Sequence, residues 1–107
     1  MKHIPRIESI TDVDGFHILC LFTTGEHRVL DFGKLFSKWA LQPKDVEYPL
    51  LNIADFQKVT LQNGTLTWEN VRVTITDETG TERTEAYQID PLTLYRESET
   101  AVKILTA

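Results

Sequence analysis

The chain has a single cysteine, Cys20, among its 107 residues. No disulfide can close within it, so it must hold its fold without covalent help. Its three histidines, His3, His17 and His27, share no paired spacing such as CxxC or HxxxH. A metal site needs three or four convergent ligands, and no such set is visible. The five glycines at 15, 25, 33, 64 and 80 are isolated, which excludes the Gly-rich loops that cradle phosphates. Ser9, Ser37 and Ser98 lie in no nucleophile-elbow context. The opening MKHIPRIESI lacks the apolar core of a signal peptide. No apolar run approaches the roughly 20 residues that span a bilayer. These absences lead us to expect a cytoplasmic protein, where a lone thiol stays reduced, with no cofactor, no metal and no membrane partner.

What is present suits one globular domain. Apolar residues make up 41% and charged residues 25%, so the chain has enough apolar surface for a core. The net charge of −5 is unevenly spread. Residues 1–44 hold six Lys/Arg against five acids, and residues 45–107 hold five against eleven. An acidic domain repels phosphate backbones, which argues against direct nucleic-acid binding. It would attract a basic protein.

Gly and Pro mark the turns. His3 to Ile10 reads as a first strand, with Pro5 suggesting an edge. Asp14-Gly15 turns the chain into Phe16 to Phe22, FHILCLF, an apolar strand. Thr24-Gly25 reads as a two-residue turn into a third strand at His27 to Leu30. Asp31 then caps a helix from Phe32 to about Leu41. Phe32, Leu35, Phe36 and Trp39 form one apolar face, with Lys34 and Lys38 opposite. Asn52 caps a short helical turn holding Ile53 and Phe56. Asn63-Gly64 is the strongest hairpin signal in the chain, because a type I′ turn needs positive φ at both central residues. That register sets Leu61 against Leu66 and Val59 against Trp68 on one face. Trp68 is then a core residue rather than a recognition platform. Val71 to Thr76 and Thr84 to Ile89 suggest a further hairpin. Its register suits no tight turn, so a longer or bulged connection is expected. Asp90-Pro91 opens a last helical turn carrying Leu92 and Tyr95. The polar-then-apolar ESETAVKILTA follows as a tail or added strand.

The expected fold is α+β: a mostly antiparallel sheet of tight hairpins, one main helix on one face, and one or two short helical turns. Residues 1–96 form one domain, 69–89 an inserted hairpin, and 97–107 a tail or added strand. The core is expected around Phe36, Trp39, Val59, Leu61, Leu66, Trp68 and Tyr95.

Catalytic chemistry finds little support. A two-residue turn at Thr24-Gly25 places Cys20 and His27 diagonally on one sheet face, with His17 on the other. That is the only arrangement resembling a Cys–His pair. Yet Cys20 sits in an apolar strand, where free cysteine acts as a small hydrophobe. The paired carboxylates Asp12/Asp14, Asp77/Glu78 and Glu97/Glu99 fall in turns or the tail, away from any shielded site. Two patches suit a partner instead. One is the pair Lys34 and Lys38; the other is Val102, Ile104 and Leu105, a short β-prone stretch able to join a sheet edge.

The order of landmarks resembles a known family. An apolar strand leads through Gly25-Glu26 to a strand ending in Asp31, then a helix. Pro49-Leu50-Leu51, Phe56, Val59, the Asn63-Gly64-Thr65-Leu66-Thr67-Trp68 hairpin and Asp90-Pro91-Leu92-Thr93-Leu94-Tyr95 follow. Over residues 4–96 this is similar to domain-of-unknown-function family 2442, small prokaryotic proteins. Two departures stand out: residues 69–89 intervene before the final element, and eleven residues, 97–107, follow Arg96. The resemblance implies an α+β fold and no assigned enzymatic activity. Some members are fused to a helix-turn-helix domain, and others resemble half of a toxin–antitoxin-like pair. The functional expectation is a bacterial, non-enzymatic protein–protein interaction module, paired with another small protein or with itself. The alternative is a small-ligand or enzymatic domain with a cleft near Cys20 and His27.

Overall fold

A computed structural model describes residues 4–101. Its strands are all antiparallel and form two sheets, giving the expected α+β class. The first sheet comprises β1 (Ile7–Asp14), β2 (His17–Phe22), β3 (His27–Asp31) and β7 (Glu99–Thr100), in the spatial order β1-β2-β3-β7. The second comprises β4 (Thr60–Gln62), β5 (Thr65–Thr76) and β6 (Glu82–Gln88), with β5 central. Among the described residues three α-helices, α1 (Phe32–Trp39), α2 (Ile53–Phe56) and α3 (Pro91–Glu97), join them, with a 3-10 turn at Tyr48–Leu51. None is long and apolar enough to cross a membrane.

Each helix starts where a side chain can accept the orphan N–H groups of the first turn. The Asp31 carboxylate accepts from the Lys34 N–H at 3.1 Å. Asn52 Oδ1 accepts from Ala54 and Asp55, and Asp90 from Thr93. Ala40, at φ 51, ends α1 at Trp39, two residues short of the expected Leu41.

The core lies where α1 and α2 meet both sheets. Phe32, Phe36, Phe56 and Trp68 form one aromatic cluster, with ring centroids between 5.1 and 6.0 Å apart. Trp68 is fully buried, and its indole N–H donates to the Phe56 carbonyl at 2.8 Å. That bond satisfies the one polar atom such a ring carries inside. Leu66 is fully buried too, Phe36 nearly so, and Trp39, Val59, Leu61 and Tyr95 are half-buried against the same cluster.

The two sheets meet at a glycine. Gly64, at φ +73, follows Asn63 at φ 55, the pair of positive values that a type I′ turn requires. Its carbonyl accepts from the Ile7 N–H at 2.8 Å. A Cβ here would lie 3.1 Å from Cβ of Arg6, so the position excludes a side chain by contact as well as by φ.

Several expectations need correction. The first strand starts at Ile7 rather than at the Pro5 edge, and His3 lies outside the described residues. The β2–β3 turn has three residues, not two. Phe22 N–H donates to Glu26 C=O, Gly25 N–H donates to Phe22 C=O, and Gly25 adopts φ +89. This is a type I turn closed by a left-handed residue. The register moves by one residue, which reverses every side chain of β3 relative to β2. Cys20 pairs with Arg28, not Val29, and Leu21 with His27. The anticipated hairpin forms from the outer part of β5 and from β6, but its first strand is longer than expected, because β5 continues into it from the Asn63-Gly64 turn. Three residues, Glu69, Asn70 and Val71, bulge between the Trp68–Tyr87 and Arg72–Ala86 pairs. The connection itself is the longer kind expected, three residues closed by Gly80 at φ +82, and this bulge within the strand is a second irregularity.

Candidate interaction surfaces

Beyond that bulge β5 changes character. β4 pairs only with Thr65, Leu66 and Thr67. From Arg72 outward, β6 is the only strand beside β5 among the described residues. The two make a ribbon closed by Glu78, Thr79 and Gly80, where the Asp77 carboxylate accepts from the Thr79 and Thr81 N–H groups. These bonds, led by the one from the Thr79 hydroxyl, hold the Asp77 carboxyl below its ordinary range. One ribbon face carries Val73 and Ile75 opposite Glu85 and Arg83. The other carries Thr74, Thr76, Thr84 and Arg72.

A second surface lies between the body and the root of the ribbon. Trp39, Leu41, Tyr87 and Ile89 line a cleft of about 560 Å³ whose acidic members are Asp45, Glu47 and Asp90. Tyr87 donates its hydroxyl to Glu47 at 2.9 Å. Burial, and then that carboxylate, raise the phenol above its usual range. Among the described residues none of the three carboxylates lies within 4 Å of a cation. An aromatic floor beside uncompensated carboxylates is chemistry that accepts a Lys or Arg side chain.

Lys34 and Lys38 line a different cleft, of about 360 Å³, with His17, Asp31, Glu97 and Glu99. Lys38 is paired with Glu97 at 2.9 Å, and His17 Nε2 lies 3.4 Å from Asp31. This surface is mixed in charge rather than basic. Val102, Ile104 and Leu105 lie outside the described residues. The segment leading to them joins the β3 edge: Val29 pairs with Glu99, Arg28 with Thr100, and Ala101 N–H donates to His27 C=O at 2.9 Å.

Arg28 anchors that segment. Its guanidinium, 4.5 Å from the Tyr95 ring centroid, donates to Glu26, to the Ser98 hydroxyl and to the Ser98 carbonyl. Tyr95 donates to the other Glu26 oxygen, and this bond leads those that lower the Glu26 carboxyl and raises the Tyr95 phenol. Sequence reasoning missed Arg28 because the two-residue turn aimed it at the opposite face.

Among the described residues Cys20 and His27 do not share a surface. Cys20 is fully buried, and burial lifts its thiol from 9.0 to about 12. A thiol so far from ionising is a poor nucleophile. His27 is exposed on the other sheet face. His17 and His27 share that face after all, but they stand four residues apart along the ladder. That spacing is roughly 13 Å, too far for one ion. Compared with protein-family models, curated proteins and solved structures, the chain matches none.

Proposed function

We propose that the chain is a non-enzymatic protein–protein interaction module that docks through the β5–β6 ribbon. The observation carrying this reading is the ribbon itself: two strands that extend beyond the body with no third strand on either side among the described residues. An isolated two-stranded hairpin is marginal in water, and an open edge is a template for another strand. The cleft of Asp45, Glu47 and Asp90 beside the ribbon root adds a place for a basic side chain, in keeping with the acidic second half of the chain. The resemblance to family 2442 supports a bacterial protein working as one half of a pair, in the manner of toxin–antitoxin partners. The single thiol supports a cytoplasmic setting.

The test is affinity purification of the tagged chain from its source cells, followed by mass spectrometry and light scattering. A stoichiometric companion, or self-association, that is lost in Val73→Asp/Ile75→Asp and kept in Lys34→Ala is the expected result. Association untouched by the ribbon variant, or no association at all, would sink the reading.

A further inference from the structure

The ribbon has two edges, and they are built differently. Asp77 N–H donates to Thr81 C=O at 3.0 Å, so these two residues face each other across the ladder. Antiparallel pairing alternates, with every second residue turning its N–H and C=O away from its partner strand. On β5 the outward positions are therefore Arg72, Thr74 and Thr76; on β6 they are Glu82, Thr84 and Ala86. The Thr84 carbonyl shows this directly, because it accepts from the Arg72 guanidinium at 3.2 Å.

The β6 edge is guarded. Arg72 lies across its Thr84 carbonyl, and Glu82, Arg83 and Glu85 bring three charges into five residues. Charged side chains on an edge are the usual device against pairing. The β5 edge has none of this beyond Arg72 itself. Val73, Thr74, Ile75 and Thr76 are all β-branched, the residue class that suits a pleated surface.

We infer that the partner of this edge is a second copy of the chain, joined strand to strand through Arg72–Thr76 about a two-fold axis at Thr74. The edge is self-complementary in that arrangement. Thr74 meets its counterpart, Val73 meets the partner subunit's Ile75, and Arg72 meets the partner subunit's Thr76. All three outward positions on one copy face outward positions on the other, so each can exchange backbone hydrogen bonds. Val73 and Ile75 from both copies join into one apolar stripe on a four-stranded sheet, giving cross-strand pairs that neither copy makes alone. The only charge on the edge, Arg72, meets a neutral residue. Such an interface is isologous and closes at two copies, so it forms a dimer rather than a fibre.

This inference rests on the ribbon being a docking element, and it names the occupant. Two proline variants test it. Proline at an outward edge position removes only the N–H that faces solvent and leaves the β5–β6 ladder whole. Analytical ultracentrifugation over a wide concentration range should show the natural chain passing from monomer to dimer. Thr74→Pro should remain monomeric with an unchanged circular dichroism melt, and Thr84→Pro should dimerise like the natural chain. If Thr74→Pro disturbs the melt, Ile75→Lys replaces it, with the same loss of dimer expected. A natural chain that stays monomeric throughout overturns the inference. So does a dimer that survives the β5 variant, or one that only Thr84→Pro dissolves. A monomer that still captures a different protein through Val73 and Ile75 overturns self-pairing alone. A monomer that captures nothing overturns the docking reading as well.

Discussion

β5 is one strand with two environments. From Thr65 to Trp68 all four residues are buried, although successive side chains point to opposite faces. From Arg72 to Thr76 none is. Composition does not explain the difference, because threonine occurs in both halves and Val73 and Ile75 are as apolar as Leu66. Coverage does. The inner half has β4 on one side, β6 on the other, and the aromatic cluster across one face. Its threonines are bonded as burial demands: Thr65 donates to the Ile89 carbonyl, and Thr67 to the Thr65 carbonyl at 3.3 Å. The outer half has β6 alone. The bulge at Glu69–Val71 is the hinge between the two conditions. Local sequence makes the strand, while its neighbours determine how much each residue contributes.

Three measurements would break or sharpen that contrast. Trp68→Ala should cost about 3–5 kcal/mol in urea melts, as a large aromatic truncation inside a packed cluster. A loss below about 1 kcal/mol would place the inner half of β5 outside the core.

The body should also respond to alkali through Cys20. Its folded thiol ionises near 12 rather than 9.0, so the fold favours the neutral form. Stability from this group is complete below pH 9 and declines as pH rises, by about 1.4 kcal/mol per unit, until the folded value near 12 is reached. Cys20→Ala should show a shallower decline over the same window. Identical slopes would mean that the thiol is solvated. Labelling of the natural thiol at neutral pH should occur only on unfolding.

The smallest effect belongs to the ribbon. Ile75→Ala should cost under about 1 kcal/mol at low concentration, because a half-exposed side chain there loses little burial. A cost comparable to that of Trp68→Ala would show the ribbon to be part of the body.

Much of the fold was legible because local chemistry fixed it. Asp31, Asn52 and Asp90 each cap the helix that their position announces, and Asn63-Gly64 adopts both of its positive φ values. Trp68 was read as core from its neighbours across the hairpin, and it is core. The misreadings share one cause. Thr24-Gly25 closes equally well as a two-residue or a three-residue turn, and nothing within the turn decides between them. Packing decides, by putting Ile18, Cys20 and Phe22 on the buried face together with Leu30. The β5 bulge was invisible for a similar reason. Glu69-Asn70-Val71 has no turn residue beyond Asn70, and only Val71, buried with 4% of its surface exposed, shows what the extra residues accomplish. The acidic cleft combines Asp45, Glu47, Tyr87 and Asp90 from distant segments, and no spacing rule could have assembled it.

The Arg28 clamp has a consequence for how the molecule comes into being. Arg28 lies in the middle of β3, but the hydroxyl and carbonyl that its guanidinium holds belong to Ser98, seventy positions later. Until Ser98 and Glu99 have been made, the β3 edge has no strand to cover it, and a cation bound for a 14% exposed position stays in water. Closing so distant a contact is entropically slow. The nascent chain therefore carries an open β3 edge until that segment emerges. The docking of α3 and β7 onto that sheet must await their synthesis.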